Sequence, residues 1–266
     1  MDTREKFNLN IVGNTTADKT ILFAHGFGTN QTSFQPIVEA FKDDYRIVLF
    51  DYIGSGQSDI NAYEASKYSN IYGYVNDLIE VCKSVALKDA ILVGQSISGM
   101  IGFLACIQYP EFFSKLIMIG SSPRYLNDES RRYVGGFDMP DLEGLYAAME
   151  SDFKGWALGF AKVVMGNTDR PYLAEQFAET LGSMRNDIGI QLAKTIFQSD
   201  NRHELDKVDK PVLIVQTVND VAVPESVGRY MDNNIPNSEL VKVQTEGHFP
   251  HISAPNEIIK VIKDFI

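Results

Sequence analysis

The stretch that decides the fold is Ile91-Leu92-Val93-Gly94-Gln95-Ser96-Ile97-Ser98-Gly99, in which an apolar run leads into a serine flanked by small residues. A serine on a sharp turn from a strand into a helix has its hydroxyl pushed away from the backbone. Such a turn closes only when the residues two before and two after the serine are small. Gly94 and Ser98 meet that demand, although glycine is common at the second position. The pattern predicts that Ser96 is a nucleophile, and an ordinary glycine-rich turn is the alternative.

On either side of this stretch, short apolar runs alternate with longer segments whose apolar residues recur at helical spacing. This alternation predicts an α/β fold with a mostly parallel sheet flanked by helices. The predicted strands are 20–24, 45–50, 90–93, 115–119, 212–216 and 240–243. The predicted helices of this repeat are 33–43, 68–86, 97–108, 225–234 and 255–265.

The segment from Pro123 to Leu205 breaks the repeat because it contains no convincing strand. Its apolar residues recur in steps of three and four, which predicts one apolar stripe on a helix face. The stripe comprises Leu142, Leu145, Met149, Phe153, Trp156, Phe160 and Val163. Further helices are predicted over 172–181 and 187–197. The segment is therefore predicted to be an all-helical insertion between two strands of the core.

Ser96 needs a general base and an acid that orients the base, because a free hydroxyl is a poor nucleophile at neutral pH. In this type of architecture these groups follow the serine in the order Asp, then His. Asp220 comes just past one predicted strand, and His248 lies on a glycine-containing loop after the next. Because open α/β sheets keep their sites at strand ends, we predict a triad of these three residues. The alternatives are a turn or helix-cap role for Asp220 and a backbone-bonded loop residue for His248, and the latter role is our prediction for His251.

Upstream, the loop at 25–29 follows the first confidently predicted strand and contains two glycines. Glycines let the backbone approach a substrate closely, so we predict that the amides of Phe27 and Ile97 hold a developing oxyanion. A dinucleotide-binding fingerprint is excluded because residues 26–31 lack its third glycine. His25 is predicted to brace this loop rather than to ionise in catalysis.

The composition limits the classes of function. The chain has 266 residues with 24 Lys+Arg and 35 Asp+Glu, a net charge of −11, and no basic block, which disfavours nucleic-acid binding. Cys82 and Cys106 have no CxxC spacing, so buried thiols are expected rather than a disulfide or zinc site. Four scattered histidines without an HExxH motif predict no metal, and no cofactor is expected.

The N-terminal residues are charged and no apolar segment follows them, which predicts no secretory signal and a cytoplasmic protein. Residues 90–110 carry no charge and are long enough to span a bilayer on length alone. Glycines, serines and glutamines interrupt this run. We therefore expect a buried strand, a tight turn and a buried helix there, and no membrane partner.

Several segments together resemble the RsbQ family of bacterial stress-regulator hydrolases and its plant relatives, the strigolactone and karrikin receptors. The resemblance rests on residues 25–29, 94–102, 122–128, 135–137 and 247–253, and within the helical insertion on 155–157, 169–171 and 197–200. Gln95 departs from the family pattern, which usually has histidine before the serine. This departure bears on the packing of the turn rather than on the nucleophile.

The resemblance implies an α/β-hydrolase core formed by residues 1–122 and 206–266, with a four-helix lid at 123–205 over a mostly apolar cavity. It also implies Ser96, Asp220 and His248 as the triad, with the oxyanion hole at the Phe27 and Ile97 amides. Packing within the lid core is the alternative for the implied ligand contacts, which are Phe27, Tyr125, Phe137, Trp156, Phe160, Phe197 and Phe249.

The function implied by the resemblance is slow hydrolysis of a small hydrophobic ester or lactone-like ligand by a ligand-sensing regulator. In the bacterial branch the partner is a PAS-domain phosphatase of the RsbP type, which leads to activation of a stress sigma factor. Two alternatives stay open on the sequence. One is a non-catalytic ligand receptor that binds a partner, and the other is a C–C bond hydrolase on the same fold.

Overall fold

The computed structural model describes residues 2–266, and its centre is a seven-stranded sheet in the order β1-β3-β2-β4-β5-β6-β7. The strands are β1 (Asn10–Gly13), β2 (Thr20–Ala24), β3 (Arg46–Leu49), β4 (Ala90–Gln95), β5 (Phe113–Ile119), β6 (Val212–Asn219) and β7 (Ser238–Glu246). β1 runs antiparallel to β3, and the other neighbouring strands are parallel. The predicted α/β class with a mostly parallel sheet is confirmed.

Helices cover both faces of this sheet. They are α1 (Thr3–Lys6), α2 (Gln35–Val38), α3 (Tyr72–Ser84), α4 (Ile97–Gln108), α5 (Met139–Ser151), α6 (Phe153–Met165), α7 (Pro171–Gly182), α8 (Asn186–Phe197), α9 (Glu225–Asn234), α10 (Pro250–Ser253) and α11 (Pro255–Phe265). Successive side chains of a strand point to opposite faces of the sheet. Leu22 of β2 therefore joins the core that contains α3 and α4, whereas Ile21 and Phe23 join the core that contains α2 and α11.

The central strands were predictable because they are buried on both faces. Every residue of β2 and β4 is buried, so each reads as a continuous apolar run. β1 gave no such signal because it is a short edge strand whose terminal residues, Asn10 and Gly13, are exposed. The sequence pattern consequently misses this strand.

The prediction of one apolar stripe from Leu142 to Val163 is wrong. The helix breaks at Asp152, whose side chain accepts a hydrogen bond from the amide of Gly155 at 2.9 Å and so caps the start of α6. This break resets the helix phase, and Val163 is 61% exposed. Aspartate is a preferred residue at helix N-caps, so Asp152 was a capping signal within the apolar periodicity.

Helices α5–α8, here called the helical insertion, lie between β5 and β6 in the chain. Within it, α6 packs against α7 and α5 packs against α8. The segments that enter and leave the insertion are joined by ion pairs, Arg124 to Asp200 and Arg202 to Asp128, both at 2.8 Å. Because the Arg202 side chain is only 5% exposed, these charge-assisted bonds hold the two ends of the insertion together.

The turn between β4 and α4 has the geometry that its sequence predicts. Ser96 has φ +55° and ψ −127°, a conformation that stores strain in a residue with a side chain. A Cβ on Gly94 would lie 2.5 Å from the carbonyl oxygen of Ser98. Ser98 is accommodated because its hydroxyl donates to the carbonyl of His25. Residues 90–110 thus form the expected strand, turn and helix.

We expect Gly94→Ala to lower the free energy of unfolding by about 1–3 kcal/mol, because the added methyl overlaps the backbone of Ser98. Gly144→Ala is the matched control, since a Cβ there meets nothing within 4 Å on α5. Helix propensity predicts that this control gains about 0.5–1 kcal/mol. Urea unfolding followed by circular dichroism measures both, and equal stability of the two variants would contradict this account of the turn.

Candidate active site

Ser96, His248 and Asp220 form a continuous chain of hydrogen bonds. Ser96 Oγ lies 2.8 Å from His248 Nε2, and His248 Nδ1 lies 2.7 Å from Asp220 Oδ2. All three residues are buried, with exposures of 6%, 6% and 9%. With the proton on Nδ1, His248 donates to the carboxylate and its Nε2 is free to accept the proton of Ser96. The arrangement can therefore activate a serine nucleophile.

The parallel sheet explains why residues distant in sequence meet here. Ser96 directly follows β4, Asp220 directly follows β6, and His248 lies two residues past the end of β7. The carboxyl ends of parallel strands share one edge of the sheet. The structure brings together the three residues that the sequence predicts as a triad.

The two oxygens of the Asp220 carboxylate have different hydrogen-bond partners. Oδ2 faces His248, whereas Oδ1 accepts hydrogen bonds from the amides of Ala222 at 2.9 Å and Val223 at 3.1 Å. The turn or helix-cap role, which was the alternative for Asp220, is thus met by Oδ1, and Oδ2 is left for the contact with His248. The two amides fix the carboxylate plane toward the imidazole.

The backbone of His248 is held from two directions. Its amide donates to the carbonyl of Val164 in α6 at 2.8 Å, and its carbonyl accepts from Gln95 Nε2 at 3.1 Å. The preceding Gly247 has φ +86°, and a Cβ there would lie 2.0 Å from the carbonyl oxygen of Met165. Only glycine fits this close approach between the histidine loop and α6.

Gln95 is a site residue that the sequence interpretation missed. Its side chain is fully buried beneath Gly26, where a Cβ would lie 1.9 Å from Gln95 Oε1. The hydrogen bond to the carbonyl of His248 links the residue before the nucleophile to the base, 153 positions away. The family departure at this position had been interpreted as a matter of turn packing, and nothing local in the sequence indicates the contact.

The loop predicted to hold an oxyanion lies directly against the nucleophile. A Cβ on Gly26 would lie 3.1 Å from Ser96 Cβ, and Phe27 shares a cavity wall with Ser96. Ile97 is the first residue of α4, so its amide has no partner within the helix. The amides of Phe27 and Ile97 are therefore available near Ser96, and their role as an oxyanion hole stays a prediction.

His25 braces this loop, as the sequence predicts. Its Nδ1 lies 2.9 Å from the carbonyl of Gly26, and its Nε2 accepts from the amide of Tyr52 at 3.1 Å. Because burial outweighs the attraction of Asp51, the pKa of His25 is lowered from its ordinary value. His25 is thus a neutral structural residue with both nitrogens occupied.

A small cavity of about 20 Å³ opens onto Ser96 and His248. This volume is enough for about one water molecule. Tyr125 Oη lies 3.5 Å from Ser96 Oγ, and burial raises the pKa of Tyr125, which keeps its hydroxyl protonated. The rest of the wall is apolar and mostly aromatic, and consists of Phe27, Phe160, Val164, Phe177, Ile196, Phe197, Ala222 and Phe249.

Two of the predicted ligand contacts lie off the wall of this cavity. Phe137 and Trp156 do not lie on the described cavity wall, whereas five of the predicted residues do, namely Phe27, Tyr125, Phe160, Phe197 and Phe249. The ring of Phe137 packs against Phe197 with centroids 5.3 Å apart, and Trp156 stacks on Phe160 at 4.8 Å. Both rings support the wall from behind. Helical periodicity identifies the buried face and cannot separate these two layers.

The prediction that His251 is bonded to the backbone is wrong. Among residues 2–266 neither ring nitrogen has a hydrogen-bond partner, and the ring is fully buried. It packs against Phe34 and Phe249, with centroids 5.0 Å and 6.2 Å away. Burial, with a smaller contribution from His248, lowers the pKa of His251 to about 3. His251 is therefore a neutral core residue.

Within residues 2–266, no group of three or more His, Cys, Asp or Glu side chains is placed to hold a metal ion. No helix in the same range is both long and apolar enough to cross a membrane.

Comparisons with known proteins agree with this geometry. Residues 19–255 match the family model of the alpha/beta hydrolase fold. The chain is 40% identical over 259 residues to Karrikin insensitive 2 receptor CA of Petunia hybrida, covering 97% of this chain and 94% of the receptor. It is 38% identical over 260 residues to Strigolactone esterase D14 of Arabidopsis thaliana, covering 97% and 96%. The plant part of the sequence resemblance is thereby confirmed.

A solved structure is similar along the same length. A hydrolase from Oleispira antarctica superposes with a TM-score of 0.95 at 33% sequence identity, covering 99% of this chain and 96% of that chain. The sheet and the helical insertion therefore have a counterpart in a protein described as a hydrolase.

Replacing the buried histidine tests its neutral state. The unfolded chain takes up a proton at His251 near pH 6.5, whereas the folded protein resists protonation until about pH 3. Stability therefore rises with pH between these values. Relative to His251→Phe, we expect the wild type to lose about 2 kcal/mol of unfolding free energy between about pH 7.5 and about pH 5. Urea unfolding at each pH measures this, and identical pH profiles of the two proteins would contradict a neutral buried His251.

Proposed function

The chain belongs to the alpha/beta hydrolase family, and we propose that it hydrolyses an ester or lactone-like bond in a small hydrophobic ligand. The observation that carries this proposal is the buried hydrogen-bond chain from Ser96 Oγ through His248 to Asp220. A buried and aligned chain of this kind converts a weak hydroxyl nucleophile into a reactive one.

In the proposed reaction, Ser96 Oγ attacks the carbonyl carbon while His248 Nε2 takes its proton. Asp220 stabilises the resulting imidazolium through the 2.7 Å contact at Nδ1. The amides of Phe27 and Ile97 hold the oxyanion of the tetrahedral intermediate. When the intermediate collapses, the leaving alcohol takes the proton from His248 and the acyl group stays on Ser96.

Water completes the cycle by the same route in reverse. His248 accepts a proton from water, the hydroxide attacks the acyl carbon, and the proton returns to Ser96 Oγ as the acid leaves. In a lactone, the leaving alcohol stays tethered to the acyl group, so the second step releases a single hydroxy acid. The proposed triad thus uses one base for both halves of the reaction.

The ligand class follows from the cavity wall. Apart from Ser96, His248 and the hydroxyl of Tyr125, the wall offers only apolar side chains. A charged ligand would lose its hydration there without gaining a partner. We therefore propose a neutral, hydrophobic ligand, for which the helical insertion serves as a lid, with residues 123–205 as its bounds and the remaining residues as the core.

We further propose that turnover serves ligand sensing by a cytoplasmic regulator of the RsbQ type. The similarity to proteins named as strigolactone and karrikin receptors supports a sensing role. The contact between His248 and Val164 supports it too, because it joins the base to the insertion above the cavity. A PAS-domain phosphatase of the RsbP type and a stress sigma factor rest on the sequence resemblance alone.

Hydrolysis of p-nitrophenyl acetate by active-site variants tests the triad. We expect Ser96→Ala and His248→Ala each to lower kcat by about 10⁴-fold or more, because triad members act as a unit. Asp220→Asn loses roughly 10⁴-fold through the wrong imidazole tautomer. Ser151→Ala, the same change at the exposed end of α5, is the control and keeps wild-type activity.

Two results would count against this proposal. Wild-type hydrolysis in Ser96→Ala would exclude Ser96 as the nucleophile. A folded wild-type protein that hydrolyses no ester would instead support the non-catalytic receptor.

A further inference from the structure

A second cavity lies behind one wall of the catalytic cavity. Its volume is about 350 Å³, against about 20 Å³ around Ser96. It is open to solvent on one side and is lined by segment 29–36, which follows the oxyanion loop, by α7, and by Ile252. Small-molecule sites begin at about 300 Å³, so the second cavity has the size of a ligand site and the catalytic cavity as it stands does not.

A single aromatic side chain separates the two cavities. Phe177 lines both of them and is 4% exposed. Its ring packs on Phe249, with centroids 4.5 Å apart, and its Cε2 would lie 3.1 Å from a Cβ on Gly28. The Phe177 ring therefore packs against the residue after His248 and against the loop that is predicted to hold the oxyanion. Phe177 is the one residue that the two linings share.

The lining of the second cavity is neutral. Among the described residues, no charged side chain lines it, although the chain has a net charge of −11. Leu173 and Phe177 provide apolar surface, while hydroxyl and amide groups such as those of Thr180 and Gln176 provide hydrogen bonds. These groups can pair with the oxygen atoms of an uncharged ligand.

We propose that the second cavity is a binding subsite for neutral, oxygen-containing organic molecules, and that Phe177 is the gate through which they reach Ser96. This inference rests on the proposed hydrolysis and specifies the substrate of that reaction in more detail. The substrate is an uncharged ester or lactone whose non-reacting part occupies the 350 Å³ cavity. The reacting carbonyl enters the smaller cavity when Phe177 swings aside.

Binding is tested without turnover in the Ser96→Ala protein. The probes are γ-octalactone and octanoate, which have the same number of carbon atoms and differ in charge. We expect calorimetry to show that the lactone binds at least about tenfold more tightly than the anion, because the lining offers no countercharge. Octanoate binding as tightly as the lactone would overturn the neutral subsite.

Two added substitutions locate the bound lactone. Thr180→Trp fills the second cavity, and we expect it to weaken lactone binding by about tenfold or more. Gln176→Glu adds a negative charge on α7 with little change in size, and we expect it to weaken lactone binding as well. It provides a second test of the site in case the Thr180→Trp protein does not fold. Leu158→Trp, on a surface 56% exposed, is the control and should bind normally. Unchanged lactone affinity in both Thr180→Trp and Gln176→Glu would overturn the inference.

The gate is tested by hydrolysis in the protein with Ser96 intact. We expect Phe177→Ala to raise kcat/KM for p-nitrophenyl octanoate by about tenfold relative to p-nitrophenyl acetate, since the small ester needs less of the second cavity. A purely structural role for Phe177 predicts equal changes for both esters, and that result would exclude the gate. Hydrolysis of neither ester by the wild type would refute the proposed function, and the lactone binding would still decide whether the subsite exists.

Discussion

Ser96 occupies a backbone conformation with φ +55°, which costs about 1–3 kcal/mol in a residue with a side chain and persists only where its surroundings enforce it. The surroundings here are the parallel sheet and the start of α4. The Ser96 amide donates to the carbonyl of Ile119 at the end of β5 at 2.7 Å. Gly94 and Gly99 have no room for a Cβ, because Ser98 and Ser121 lie 2.5 Å and 2.0 Å from where it would be. The strained turn directs the hydroxyl toward the strand ends, where His248 and the loop before Gly28 approach it.

The helical insertion and the histidine loop form one connected unit above this turn. Val164, in the last turn of α6, accepts the hydrogen bond of the His248 amide at 2.8 Å. The backbone amide of Asn167 donates to Glu246 Oε1 at 2.7 Å, and its side-chain Nδ2 donates to the backbone carbonyl of Glu246 at 3.0 Å. The same end of α6 thus contacts the residues on both sides of Gly247. A displacement of α6 that widened the small cavity would act directly on the support of the base.

The sequence was sufficient for features that depend on local chemistry. The continuous apolar runs of β2 and β4 and the small residues around Ser96 each reflect a requirement that one segment meets by itself, and Asp220 and His248 each come after an apolar run that marks a strand. Contacts between distant segments left no such signal. The bond from Gln95 to His248 and the burial of His251 beside Phe34 depend on how strands and helices pack. Trp156 and Phe160 are both partly buried on the same helix, and only the packing decides that Phe160 meets the cavity while Trp156 lies behind it.

The central claim is that the hydrogen-bond chain from Asp220 to Ser96 makes this one hydroxyl a reactive nucleophile. Intact mass spectrometry after incubation with a fluorophosphonate probe tests it most directly, because the probe forms a stable bond only with an activated serine. The account predicts a single adduct per chain, located by peptide mapping at Ser96, and no adduct in a folded His248→Ala protein. An adduct on another serine, or equal labelling with and without His248, would contradict it.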